Sequence, residues 1–330
     1  MYGFDDIIGR DTIKDYIRNA MKADKLSHAY IFNGEKDSGK EFIADIFAAA
    51  LQCEDSANAP CGKCHACIQS QNNNNPDIIK ITKDKLTSIS VDNIRENLNQ
   101  DIDIKPYNGR YKIYIIIDAE NMNTEAQNAL LKTLEEPPEY GMIMLLTSGI
   151  EKLLPTIQSR CITLNLLPVS DEKVIKFLMD TVKVPDYVAR VCAAFARGNL
   201  GRAKALASSE DFNRIRSDVV GILKYSDEMR VEELIGATKR LTEYKLSIND
   251  YLNLFMVWYR DVLLFKATND LNGLIFKNEA GDIARCAKRR SYEDIELVLK
   301  ALDNTVRRIE AHVNLELVLQ LLFEKIKEFG

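Results

Sequence analysis

Gly34 and Gly39 stand with four residues between them, Lys40 follows, and Glu41 occupies the place where a phosphate-binding loop of this spacing carries Ser or Thr. In an intact loop the backbone N–H groups cradle the phosphates, the lysine reaches the terminal phosphates and the hydroxyl holds magnesium. A glutamate cannot copy that hydroxyl, because it is longer and sets negative charge beside a polyphosphate at a helix N-terminus. Weakened or absent metal-nucleotide chemistry is therefore expected, while Lys40 and the backbone donors keep the means to hold a phosphate or sulfate. A surface Gly-Lys turn that matches by accident is the simpler alternative.

Cys53, Cys61, Cys64 and Cys67 crowd into fifteen residues, in the frame LQCEDSANAPCGKCHACIQ. Four thiolates at this spacing can close a tetrahedral zinc site, and a reducing cytoplasm disfavours the alternative of disulfides. His65 lies between two of them, where coordination by neighbours would be strained. With every position filled by sulfur no water can bind the metal, so the zinc is expected to be structural rather than catalytic. A nucleic-acid-binding metal module finds only Lys63 as a local cation. Cys161, Cys192 and Cys286 lie singly and read as buried or half-buried thiols.

A third group follows the apolar run 113–117: Asp118, Ala119 and Glu120. A carboxylate at the carboxyl end of such a strand is where phosphate-loop ATPases orient magnesium, and the next residue is the glutamate that activates water. Here the next residue is Ala119. Glu120 comes one position late, and in a strand a one-residue step turns a side chain to the other face. Asp118 as a helix cap is the simpler reading.

These groups need elements to hold them. The run 29–32 reads as a strand before the loop, and 41–52 as a helix with Ile43, Phe47 and Leu51 on one face. Ala126, Leu130 and Leu134 mark a helix ended by Pro137 and Pro138, 142–146 reads as another buried strand and 162–166 as a short apolar strand. From about Asp171 onward the pattern is helical, with Val174, Phe177 and Leu178, a turn at Gly198 and Gly201, and a stripe of Ile295, Leu299, Leu302, Val306, Ile309 and Val313. Trp258 reads as packing, and 69–75 as a loop tip.

The 330 residues suffice for two or three domains, and the net charge of −5 argues against a surface that grips nucleic acid as a whole. Arg285, Lys288, Arg289 and Arg290 form one basic cluster, read as solvated or paired charge with DNA as the alternative. No apolar stretch reaches the ~20 residues of a membrane span, and the start carries acidic groups rather than a basic flank, so a cytoplasmic protein with no membrane partner is expected.

Taken in order, FDDIIGR at 4–10, SHAYIFNGEKDSGK at 27–40, the four cysteines, AQNALLKTLEEPP at 126–138 and TIQSRC at 156–161 resemble the AAA+ clamp-loader family of bacterial DNA polymerase III. The resemblance runs collinearly over nearly the whole chain, with its motifs in residues 1–205. It implies an α/β AAA+ domain over 1–166, with a RecA-like parallel sheet and a zinc module inserted at 53–67. A helical lid over 167–208 and an all-α collar over 209–330 complete the expected organisation.

Within that family the zinc-bearing subunits are of two types, one that hydrolyses ATP and one that does not. Glu41 and the pair Asp118-Ala119 resemble the second type. The resemblance implies a stator without turnover of its own, in which Gly34, Gly39 and Lys40 remain of the nucleotide site. Arg160 is implied to act in trans as an arginine finger on the neighbouring subunit's ATP, a task suited to a permanently charged planar fork of donors. Implied partners are the tau/gamma motor subunits, the delta subunit and, through the complex, the sliding clamp and primer-template DNA. Arg202 lies where related ATPases carry a lid arginine. An active AAA+ motor and a zinc-containing nucleic-acid adaptor remain the alternative functions.

Overall fold

Five short runs separated by helices form a parallel sheet, because the three inner strands are buried on both faces and each strand reaches its neighbour through a crossover. The computed structural model describes residues 3–84, 88–225, 229–241 and 248–328. The chain divides into two compact units, Met1–Ser170 with Asn199–Gly201, and Asp171–Gly198 with Arg202–Gly330.

The first unit runs α1 (Asp11–Lys22), β1 (Ala29–Asn33), α2 (Lys40–Leu51), α3 (His65–Gln71), β2 (Ile78–Ile81) and α4 (Val91–Ile94). It continues through β3 (Lys112–Ile116), α5 (Thr124–Glu135), β4 (Gly141–Thr147), α6 (Pro155–Gln158) and β5 (Ile162–Asn165). The sheet order is β2-β3-β4-β1-β5 and every pairing is parallel. Alternation along the strands sends Tyr30, Phe32, Ile113 and Met144 into one core with Ile43 and Phe47 of α2. Ile31, Tyr114, Ile116 and Leu145 enter the other with Leu130 and Leu134 of α5.

Two buried charges tie down the loop before β3. The Asp77 carboxylate accepts the N–H groups of Tyr107, Asn108 and Gly109 at 2.6, 2.9 and 3.0 Å. Lys112 donates to the Asp101 carbonyl at 2.6 Å and pairs with its carboxylate at 2.9 Å. The segment 69–75, expected as a loop tip, is helical through Gln71, and Asn75 is buried with its amide donating to Ser70 at 3.2 Å. Residues 65–71 have a cap in the Cys64 sulfur, which receives the Cys67 N–H, and this signal hides inside the metal motif.

The second unit is helical: α7 (Asp171–Phe177), α8 (Asp186–Ala196), α9 (Leu200–Ala207), α10 (Glu210–Tyr225), α11 (Val231–Leu241), α12 (Ile248–Thr268), α13 (Ala280–Arg289), α14 (Tyr292–Glu310) and α15 (Leu315–Glu328). The first residues of α9 pack with the sheet unit. Ser291 and Asp294 close a capping box on α14. Along α14 the buried face is Ile295, Val298, Leu302 and Thr305, so the expected stripe is rotated slightly: Leu299, Val306 and Ile309 lie half-buried at its margin. Trp258 is buried against Phe276, as the sequence suggests.

Candidate functional site

The chain enters the phosphate loop from β1 and leaves it into α2 through Gly39, whose φ of +91° requires a residue without Cβ. Lys40 is buried, and its ammonium donates to the Gly34 and Glu35 carbonyls, both at 2.7 Å, and to the Ser148 hydroxyl at 2.9 Å. Burial pushes the lysine below its ordinary pKa, against the opposing pull of Glu120, Asp118, Asp37 and Glu35. Gly34, Gly39 and Lys40 thus share one loop, as their spacing predicts.

Glu41 turns to the sheet. Its carboxylate pairs with Lys80 of β2 at 3.0 Å, and the same ammonium meets Asp45 at 2.9 Å. Desolvation, which alone would lower Lys80, is outweighed by these two carboxylates, and the net shift is upward. The charge at the metal-ligand position is therefore neutralised along the flank of α2.

Glu120 departs from expectation. Asp118 adopts a left-handed conformation and Ala119–Asn121 form a 3-10 turn, so the two-residue alternation of a strand ends before it. The turn brings the Glu120 carboxylate to the Ser148 N–H at 3.2 Å and into the electrostatic field of Lys40. Asp118 makes no side-chain cap and pairs with Lys83 at 3.2 Å.

Sequence reasoning missed Asn199 and Gly201. The Asn199 amide donates to the Lys36 carbonyl at 2.8 Å and the Gly201 N–H to the Asp37 carbonyl at 3.2 Å. A Cβ on Gly201 would stand 2.3 Å from that carbonyl oxygen. The glycine of GNLGRA, read as a turn, is thus a point of close backbone approach to the loop.

The motifs at 126–138 and 156–161 meet in space. Gln127, buried on α5, accepts the Leu154 N–H at 2.8 Å and donates to the Lys152 carbonyl at 3.1 Å, fixing the entry to α6. Arg160, just after that helix, pairs with Glu135 at 2.7 Å and donates to the Thr156 carbonyl at 2.9 Å. It remains half-exposed.

The four cysteine sulfurs lie within 4.8 Å of one another. Sulfurs in a tetrahedral zinc site stand ~3.8 Å apart at bond lengths near 2.3 Å, so the cluster needs little closure to hold a metal. Backbone N–H groups of Cys61, Cys64 and Cys67 point at the sulfurs of Cys53, Cys61 and Cys64 at 3.3 to 3.4 Å. Gly62, at φ +70°, makes the turn between them. The N–H groups of Lys63 and Cys64 hold the Cys61 thiol down at about 6, whereas burial raises Cys53 and Cys67. Soft thiolate donors in this number suit zinc. His65 is exposed and outside the cluster.

The basic cluster on α13 does not form one patch. Arg290 is buried, donating to the Tyr259 hydroxyl at 2.6 Å and the Ile326 carbonyl at 3.2 Å, and Arg285 pairs with Asp282 at 3.3 Å.

A glycine turn between β1 and α2, a five-stranded parallel sheet with β1 in its interior, an inserted four-cysteine cluster and a helical carboxyl-terminal region together make an AAA+-like fold. A family model described as DNA polymerase III, delta subunit, matches residues 9–170. The delta' subunit of Bacillus subtilis DNA polymerase III is 27% identical over 317 residues, 94% of either chain. The tau/gamma subunit of Haemophilus influenzae is 33% identical over 233 residues, 67% of this chain and 33% of that protein. The Bacillus subtilis tau subunit is 29% identical over 304 residues, 86% of this chain and 54% of its own. The chain thus spans a third to about half the length of these two relatives. A solved gamma-subunit-related protein of Thermotoga maritima superposes with a TM-score of 0.42 at 20% identity, covering 95% of this chain and 99% of that one. The chain is thus similar to subunits of DNA polymerase III, to the family model over its amino-terminal half and to the delta' relative over nearly its whole length.

Proposed function

We propose that the chain is a non-hydrolysing stator subunit, of the delta-prime type, in the replicative clamp loader of DNA polymerase III. The observation that carries the reading is Glu41: the residue at the metal-ligand position is committed to Lys80, 3.0 Å away, and offers the loop no hydroxyl. Ala119 at the position of the water-activating base supports it independently. In this reading the four-cysteine cluster holds structural zinc. Residues 167–208 serve as lid and 209–330 as collar, packing against the collars of tau/gamma and delta subunits. The clamp and primer-template DNA are met through the complex, in the cytoplasm. Arg160 exchanges its pairing with Glu135 for the phosphates of a neighbour's ATP.

Steady-state ATP turnover tests the first half. The purified chain and its Lys40→Ala variant are expected to show the same background rate. Turnover that disappears with Lys40 would overturn the stator reading. Arg160→Ala is expected to leave assembly intact and lower the ATPase of the reconstituted complex at least tenfold, a fraction of the ~10³–10⁵ that an arginine finger can supply. A mutant complex of normal activity refutes the trans role.

One observation favours the active-motor alternative: although it stands one residue late, Glu120 accepts the N–H of Ser148, whose hydroxyl Lys40 meets, and so lies in the field of that lysine. Loss of turnover in a Glu120→Gln variant would be its signature.

A further inference from the structure

A cavity of about 680 Å³ opens at the end of the sheet unit opposite the phosphate loop. It lies at the carboxyl end of α2, beside Ala50 and Leu51, whereas the loop sits at that helix's amino end. A helix of twelve residues spans ~18 Å, so the two sites are separate. The volume falls in the range of ligand-binding clefts, ~300–1,000 Å³.

Met21, Leu26, Ala50 and Leu51 give the cleft an apolar side. Its rim carries two oriented guanidiniums. Arg18 lies over the Phe4 ring at 5.3 Å and is pinned by Asp5 at 2.7 Å. Arg110 lies over the Tyr111 ring at 5.2 Å and is pinned by Asp24 at 2.9 Å. Each fork gives one terminal nitrogen to its aspartate, which leaves further donors for a ligand. Lys22, also on the rim, makes no ion pair or hydrogen bond among the described residues. The remaining wall belongs to the metal module: Cys53 and residues 56–60, the span between the first two cysteines.

We propose that this cleft binds an acidic, apolar peptide segment of a partner protein, and that the metal shapes the wall against which the segment lies. Stacked arginines and a free lysine recognise carboxylates, and the apolar side takes an aliphatic or aromatic side chain. Asp5 and Asp24 beside the arginines select against a continuous polyanion, which would meet a carboxylate at both guanidiniums. A peptide with spaced acids can set one on Lys22, which has no carboxylate paired with it among the described residues, and so meets less of that repulsion. The four-cysteine module thereby gains a binding role that does not depend on the phosphate loop or on Arg160.

Fluorescence anisotropy with the full metal-loaded chain tests this. The probes are a fluorescein-labelled peptide of sequence Glu-Leu-Asp-Phe-Leu and its neutral counterpart Gln-Leu-Asn-Phe-Leu. The acidic peptide is expected to bind at least tenfold more tightly. Lys22→Glu and Arg110→Glu should each weaken it at least fivefold, with metal content and melting temperature unchanged for Lys22→Glu, a surface change. Stripping the metal should weaken it comparably. Equal binding of both peptides, no binding at millimolar concentration, or indifference to Lys22→Glu and to metal removal would each overturn the proposal. So would displacement of the peptide by low-millimolar inorganic phosphate, or tighter binding of a single-stranded oligonucleotide, either of which would make the cleft a phosphate site.

Discussion

A carboxylate at position 41 can direct its charge toward the phosphate cradle or toward the flank of α2, and Lys80 decides between them. The pair is half-exposed and contributes ~0–1 kcal/mol, so its consequence is orientation more than stability. Glu41→Thr is accordingly expected to cost under ~1 kcal/mol in urea denaturation. Restoring the hydroxyl alone should leave ATP turnover at background, because Ala119 is unchanged. The mismatch at 41 was legible in the sequence, but its partner was not, since Lys80 lies on a strand 39 residues away. The reading of Glu120 failed at a single dihedral pair: Asp118 takes φ 55°, a left-handed conformation that aspartate tolerates better than most residues and that no local pattern announces. A titration bears on another carboxylate. The hydroxyl and N–H of Ser90 donate to Asp84 and hold it down at about 2. The folded value lies below the unfolded one of ~3.9, so its stabilisation is complete above that value and is lost as pH falls toward 2. The melting-temperature gap between the protein and Asp84→Asn should be constant above pH ~4.5 and close at lower pH.

At the scale of elements, the parallel strands were legible because continuous apolar runs bounded by polar turns leave few other folds for 29–32, 113–117 and 142–146, and each observed strand differs by a residue or two. The stripe on α14 lies on the right helix but overshoots it, since Val313 stands past its end and is exposed, and it is slightly wrong in rotation, because Thr305 is buried with its hydroxyl donating to the Ala301 carbonyl at 2.8 Å and so passes as apolar. What no periodicity conveys is the contact of the amino end of α9 with the phosphate loop. Gly201→Ala tests it. The added carbon must push the Asp37 carbonyl aside, and a loss of about 1–3 kcal/mol is expected in denaturant unfolding. Faster amide exchange at residues 35–39 is expected with it. An Ala variant as stable as the parent would mean that the loop yields freely.

The whole molecule carries separate cores in its sheet and helical units, and the metal module belongs to the first. One zinc per chain is expected by elemental analysis. Its removal with a chelator should lower the melting transition of the sheet unit by roughly 5–10 °C, about 2–3 kcal/mol for a unit of this size. Hydrogen exchange in α13, α14 and α15 should not change. The cysteine spacing made the module legible; its place as the wall of a cleft was not, because that cleft gathers residues from 3 to 111. The strand order has a consequence for synthesis. β1 is made first and lies inside the sheet, with both of its edges destined for β4 and β5, whose residues are translated last among the strands. At roughly 5–20 residues per second, on the order of ten seconds pass on the ribosome before either edge has a partner. During that interval the Ala29–Asn33 segment is an apolar ribbon with open hydrogen bonds on both sides, so the nascent chain, rather than the finished protein, is the form most in need of a chaperone.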